Sequence, residues 1–476
     1  MNPSLIDALG RIVGPRWVRH RRAELQTFSM DGLPTHESPP GVVVLPGTRE
    51  EVIEVVRLLH LLQVPFVARG AGTGLSGGAI ADRETVLLTL TRMNRILRVD
   101  AEGRRAVVQP GVVNARLSEA IAALGLQYVP DPSSQAACTI GGNVAENAGG
   151  PHCLKYGVTT NHVAELEVVL PDASVVRLGS PHGEPWGPDL VGLFVGSEGM
   201  FGVATEITVR LEPIPAEVRT MLADFDSVRA ASESVSAIIA AGIVPAALEM
   251  MDRACVAAVE ASIYAAGYPT DAAAVLLVEV DGRPAQVAAE AALVETLLCR
   301  HGARSVRSAS SPADRARLWQ GRKKAFGAMG RVAPDLAVQD AVVPRSTLPD
   351  ILDKIGEIRD RYHLNISNVF HAGDGNLHPN ISFDRRDPVV AQRVQEACKE
   401  IMAACVAAGG SITGEHGVGN DKLRYMPWIF DAETLGAMQA VRRVFDPGER
   451  ANPGKVVPTR ACREWRCVPD DRLVAP

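Results

Sequence analysis

At 476 residues the chain is longer than one hydrophobic core usually extends, so about two or three domains are expected. Apolar residues make up 46% and charged residues 22%, the balance of an ordinary globular enzyme, whereas 4% aromatics excludes a base-stacking nucleic-acid surface. A net charge of −6 offers no electrostatic footprint for DNA, RNA or anionic lipid. The eight cysteines (138, 153, 255, 299, 398, 405, 462 and 467) lack paired spacing, which suits reduced thiols in a cytoplasmic protein and implies no disulfide framework. Cys462 and Cys467 have no companions to complete the four ligands of an iron–sulfur cluster. Residues 1–22 do not read as a signal peptide, and no segment has the length and purity of a bilayer span.

A polar leader (1–38) precedes an apolar stretch at 41–46 that reads as a short strand. Thr48 and Glu51 form a capping-box signature, and Val52, Val55, Val56, Leu59 and Leu62 then recur at helical spacing up to the apolar run 64–68. This strand, helix, strand unit delivers the chain to Arg69-Gly70-Ala71-Gly72-Thr73-Gly74-Leu75-Ser76-Gly77-Gly78. Its five glycines let backbone N–H groups converge on an anion, with Arg69, Thr73 and Ser76 as further donors, so the loop reads as a phosphate cradle. Gly72, Gly74 and Gly77 also satisfy G-x-G-x-x-G, but that fingerprint needs a helix opening at the glycines. Only residues 79–84 separate the loop from the apolar run 85–90, which reads as another strand, so loop amides alone must hold the anion.

Residues 96–99 and 105–109 flank a hairpin signature, and 114–124 reads as a helix stopped by Gly125. A second glycine-rich block contains Pro130, Asp131 and Ser134, then Thr139, Gly141, Gly142, Asn143, Ala145 and Asn147. It combines close backbone approach with directional donors and acceptors, as a planar heterocycle with polar edges requires. A hairpin at 164–178 and a strand at 203–211 lead to Pro213 and Pro215, which mark a domain boundary. Beyond it, strands at 219–225, 273–280, 337–343 and 366–370 are separated by helices at 227–241, 286–301 and 348–361. A helical segment at 432–444 follows, and the texture is that of an α+β domain.

The chemistry concentrates in two blocks. His371-Ala372-Gly373-Asp374-Gly375-Asn376-Leu377-His378 sets two imidazoles either side of an Asp-Gly reversal, and Gly414-Glu415-His416-Gly417 adds a carboxylate and a third imidazole. Two His with one Glu (His371, His378, Glu415) is a catalytic metal set that leaves coordination positions open, and a 2-hydroxy acid fills these through its carboxylate and hydroxyl. His416 is then placed to take the hydroxyl proton. Asp374 is explained by the turn itself, and Cys138 and Cys153 by small-residue packing. Arg322-Lys323-Lys324 fits a solvated helix face, with Arg322 kept as a carboxylate clamp because an anionic substrate needs a bidentate donor.

In their order along the chain, the 69–78 loop, Thr139-Ile140-Gly141-Gly142-Asn143 with Ala145-Glu146-Asn147, Gly196-Ser197-Glu198-Gly199, the 371–378 block and 414–417 resemble the FAD-linked 2-hydroxy-acid oxidoreductases of the vanillyl-alcohol-oxidase type, within them the glycolate oxidase group. The resemblance runs over about residues 39–458. It implies a two-part PCMH-type FAD-binding domain (39–215), an α+β, ferredoxin-like cap domain with a C-terminal helical segment (216–458), and a tail (459–476). It assigns the 69–77 loop to the FAD pyrophosphate, 130–147 to the flavin and ribityl chain, and Gly202 with Ile207 to the adenine end. Thr73 stands where covalent members carry histidine, which implies non-covalent FAD. His371, His378 and Glu415 match the ligands of a divalent metal (Zn, Mn or Fe), His416 the base, Arg322 the carboxylate clamp, and Asn380 a polar residue near substrate and flavin.

The implied reaction is oxidation of glycolate or D-lactate to the 2-oxo acid by hydride transfer to flavin. Relatives acting on larger dicarboxylic acids carry a lysine near Val338, so its absence favours the smaller substrates. The implied partners are a second FAD-domain subunit and an iron–sulfur subunit, with cytoplasmic placement and membrane contact only through them. The alternatives are a stand-alone D-lactate dehydrogenase, a colourless metallohydrolase using the His/His/Glu set, and a non-catalytic FAD-binding scaffold.

Overall fold

A computed structural model describes residues 1–33, 35–181 and 187–458. The chain forms two compact units, one of Met1–Gly149, Gly157–Ile214 and the chain from Glu415 onward, the other of Gly150–Tyr156 and Pro215–Gly414. The expected α+β class is observed. In the first unit Asn452 and Lys455 hydrogen-bond the backbone of the glycine loop region, which ties the chain after Glu415 to that unit.

In the first unit the leader proves to be folded. Pro3–Val13 is a helix whose cap Asn2 accepts from Ser4 N and which buries Leu5, Leu9 and Val13. Val18–Arg19 pairs antiparallel with Val42–Val44, which runs parallel to Val86–Thr89, itself parallel to Phe66–Arg69. The connecting helix Arg49–Leu61 buries Val52, Val55, Val56 and Leu59. Leu62, expected on that face, is 52% exposed because the helix ends one residue earlier. Thr48 caps the helix by accepting from Glu51 N, while Glu51 reaches back to Gly47 N rather than to that of Thr48. A second, antiparallel sheet has the order Ile96–Asp100, Arg105–Val108, Val203–Arg210, Val163–Val169, Val175–Gly179, as the two hairpin signatures required.

The second unit is built on a nine-stranded sheet. Ala274–Gly282 lies between Glu217–Phe225 and Ala247–Asp252, and the latter pairs with Asn365–His371. All but the last residue of Ala274–Gly282 are buried, so the carboxylates that this strand carries need partners. Glu279 accepts from Arg315 (2.7 and 2.8 Å), Trp319 Nε1 (2.7 Å) and Thr220, while Lys155 and Tyr156 bind Asp281. A long helix, Pro388–Ala407, which the apolar spacing did not announce, is capped by Asp387 accepting from Val389 N and Val390 N. Among the described residues, no helix is long and apolar enough to cross a membrane.

Candidate active site

In the first unit the chain from Gly70 to Glu84 contains no helix, as the failed fingerprint required. Gly72 and Gly77 take φ of +71° and +77°, a region that a β-carbon disfavours. The loop lies against the second glycine-rich block, whose core is a helix, Ile140–Glu146, capped by Thr139 Oγ1 accepting from Gly142 N. A β-carbon on Gly70 would fall 2.2 Å from Thr139 Oγ1, and one on Gly141 would fall 2.6 Å from Pro110 Cβ. Ser76 Oγ, Asn143 Nδ2 and Ser197 Oγ are buried there without hydrogen-bond partners. A backbone cradle lined by unsatisfied polar atoms fits a dinucleotide such as FAD.

Other expected cofactor residues divide by role. The Arg69 guanidinium donates to Met30 O (2.7 Å) and Ala79 O (3.3 Å), so it fastens the loop to its surroundings rather than serving as an uncommitted phosphate donor. Gly74 O accepts from Gly32 N, and Ala71 and Thr73 lie in the same loop. Pro130 O accepts from Asn114 Nδ2, Asp131 is buried beside it, and Ser134 O accepts from Cys138 N. Asn147 closes the helix at φ +52° and accepts from Thr160 N, and Ala145 O accepts from Glu198 N. Gly202 takes φ +136°, with its β-carbon position 2.5 Å from Val169 O. Ile207 pairs with Val108 and sits in the hydrophobic core, so its side chain packs there.

In the second unit the Asp-Gly reversal forms as expected. Asp374 accepts from Asn376 N, and Gly375 takes φ +81°. His371 faces Asn376 across the strand pair, and the His371 and His378 rings meet edge to face with centroids 5.2 Å apart. His371 Nδ1 hydrogen-bonds Glu249 Oε1 at 2.7 Å, and His378 Nδ1 lies 3.4 Å from Gln339 O. Each contact fixes the orientation of its imidazole through Nδ1. Asn380 Nδ2 donates to His378 O, while its Oδ1 is buried without a partner.

Arg322 is not on a solvated helix face. It is 1% exposed and ion-paired to Glu249, and none of its nitrogens makes a hydrogen bond of good geometry. Gly321 allows this placement, because a β-carbon there would fall 2.7 Å from the Tyr268 ring. Asp340 Oδ2 accepts from Thr413 Oγ1 (2.7 Å) and Gly414 N (3.0 Å), which holds the chain one residue before Glu415. Glu415 and His416 belong to the first unit, with His416 Nε2 4.0 Å from Glu415 Oε1.

Sequence reasoning missed Glu249. Its register partner across the strands is His371, and it also meets Arg322. The signal was present as a single carboxylate inside the otherwise apolar, wholly buried run 246–251.

Residues 40–179 match the family described as FAD binding domain, and residues 214–456 match FAD linked oxidases, C-terminal domain. The chain is 46% identical to Glycolate oxidase subunit GlcD of Escherichia coli (strain K12) over 97% of its own length and 93% of that protein. It is 32% identical to a D-lactate dehydrogenase of Anaerostipes hadrus, over 88% of this chain and 89% of that one. The structure of p-cresol methylhydroxylase with substrate bound aligns at TM-score 0.82 and 18% identity, over 95% of this chain and 96% of that one, a likeness of fold. Two glycine-rich segments forming one backbone cradle, together with matches that span both units, show that this chain belongs to the FAD-linked oxidases and is an FAD-dependent oxidoreductase.

Proposed function

We propose that the chain oxidises a small 2-hydroxy acid, glycolate or D-lactate, to the 2-oxo acid, with Arg322 as carboxylate clamp and His416 as base. The observation that carries this reading is the buried Arg322 guanidinium, whose Nη2 faces Glu249 while Nε and Nη1 have no acceptor. Such donors are costly to leave unmade, and a carboxylate satisfies them in pairs. Relatives named as glycolate oxidase subunit and D-lactate dehydrogenase support the substrate class. Val338 lies opposite Asn380 in the strand register, and its apolar side chain offers nothing to a second substrate carboxylate.

When bound in the cradle FAD would supply the acceptor for the α-hydride, and His371, His378 and Glu415 would hold a divalent metal (Zn, Mn or Fe), which would lower the pKa of the substrate hydroxyl. Glu249 fixes the tautomer of His371 and balances the charge of Arg322. The grip of Asp340 on Gly414, next in the chain to Glu415, supports Glu415 as third ligand. Asn380 is anchored through Nδ2 to His378 O as a polar wall beside the substrate, and His416 takes the hydroxyl proton.

Thr73 in the glycine loop leaves the flavin dissociable, so acid precipitation should release the colour. A relative named as a subunit supports assembly, which we assign to a second FAD-domain subunit and an iron–sulfur subunit, in the cytoplasm with membrane contact only through them. Co-purification tests that assignment. The irregular tail 460–476, which would offer such partners a contact, lies outside the described residues.

Anaerobic titration of the holoprotein with glycolate, D-lactate and D-2-hydroxyglutarate tests the reaction. The first two should bleach the flavin band at lower concentration than the third, and a band unmoved by all three ends the proposal. His416→Ala should abolish dye reduction with FAD retained, and unchanged turnover would refute the base.

A further inference from the structure

We propose that Glu198 is the positioning residue of the segment carrying His416: its carboxylate holds the Val418 and Gly419 amides and so fixes the turn that presents the imidazole beside the glycine cradle. The inference rests on the reading of His416 as base, but the latch is visible by itself. Glu198 Oε1 accepts from Val418 N at 2.6 Å and Oε2 from Gly419 N at 2.8 Å, so one carboxylate spans two consecutive amides. Hydrogen bonds of this kind to a charged acceptor are the strong ones, and consecutive N–H groups form an anion-binding nest.

The backbone on both sides is bent to make the grip. Gly196, Glu198 and Gly199 take φ of +81°, +50° and +73°, and for Glu198 that conformation is unfavourable unless its surroundings enforce it. They do. Glu198 N donates to Ala145 O and Gly196 N to Val144 O, both at 2.8 Å, and Asn452 Nδ2 donates to Glu198 O and to Gly78 O. On the other side Gly417 and Gly419 take φ of +81° and +50°. A β-carbon on Gly417 would fall 2.6 Å from Glu198 Oε1 and 2.5 Å from Glu146 Oε2, and one on Gly419 would fall 2.1 Å from Ser76 O. That same Ser76 carbonyl, in the cradle, accepts from Asn420 N and Asp421 N.

Two carboxylates therefore converge between Gly78 and Gly417, with Lys422 and Lys455 supplying positive charge. Burial raises both acids, and Glu198 raises Glu146 further. Because both oxygens of Glu198 accept backbone N–H groups, the negative charge belongs on Glu198 and the proton on Glu146. His416 is two residues before the first amide of this nest, and a base displaced by about 1 Å loses on the order of a hundredfold in rate.

The test uses the holoprotein with Glu198→Gln, which sets an amide donor against one of the two N–H groups, and with Gly417→Ala, which crowds the same carboxylate from the other side. Both should speed hydrogen–deuterium exchange in peptides covering 417–421 and lower kcat roughly 10- to 100-fold, with KM within about threefold and FAD stoichiometry unchanged. Exchange and kcat both at parental values in Glu198→Gln would overturn the proposal, as would loss of FAD in both variants, which would make Glu198 a cradle residue instead. Faster exchange accompanied by full activity of His416→Ala would leave the latch standing and remove the base.

Discussion

Glu249→Gln is the sharpest perturbation of the arginine–imidazole cluster. The substitution keeps size and an oxygen to accept from His371 Nδ1, but removes the negative charge facing Arg322. Glu249 is 0% exposed and Arg322 1%, so water cannot replace the lost partner. Uncompensated buried charge of this kind costs about 3–5 kcal/mol, a large share of the ~5–15 kcal/mol that stabilises a domain. For a unit of this size that lowers Tm by roughly 6–20 °C, measurable by calorimetry or denaturant titration of the holoprotein. Removing both charges, as Glu249→Met with Arg322→Met, should recover most of the loss. Burial alone would raise the Glu249 pKa, but the charge of Arg322 and the hydrogen bond from His371 hold it below the usual carboxylate range. The stabilisation is therefore complete above about pH 4.3 and is lost as pH falls through the lower folded value. A Glu249→Gln protein within about 0.5 kcal/mol of the parent at pH 7 would refute the reasoning.

Gly70→Ala should abolish FAD retention, because its β-carbon would meet Thr139 Oγ1 and disturb the cap of the 140–146 helix, worth about 1 kcal/mol; flavin absorbance after gel filtration reads this, and full occupancy would contradict it. Arg322→Lys keeps the charge opposite Glu249 but loses the planar fork, so kcat/KM for the hydroxy acid should fall about a hundredfold with a smaller loss of stability, and an equal fall in both would remove the clamp. Burial would raise the Glu279 pKa, but hydrogen bonds from His152 and Arg315 hold it far below the ordinary range. The stability gap between parent and Glu279→Gln should therefore stay constant above about pH 4.3 and close only below it; closure near pH 6 would contradict the assignment.

Much of the site was legible because its signals are local. The absence of a helix after Gly78 followed from spacing alone, and so did the reversal at Asp374-Gly375, because left-handed φ and turn preference belong to single residues. Arg322 was harder, since its neighbours Lys323 and Lys324 suggest a wet face and only the packing of Gly321 on Tyr268 turns it inward. The helix within the leader was hidden for a related reason. Leu5, Leu9 and Val13 form a helical stripe that becomes core only through the packed body of the first unit. Arg69 was read as a phosphate donor from position, but the carbonyls that take its guanidinium come from residues about 40 and 10 positions away.

The sequence by itself determined which chemistry is available: glycine backbones that admit a diphosphate, imidazoles and a carboxylate spaced by short turns, and helices and strands set by capping and periodicity. Tertiary structure alone decided which groups meet. Glu249 finds His371 across 122 residues, and Glu198 finds Val418 across 220. Such pairings depend on strand register and on loops returning to one place, which no local preference encodes, and burial then makes each buried charge's partner obligatory.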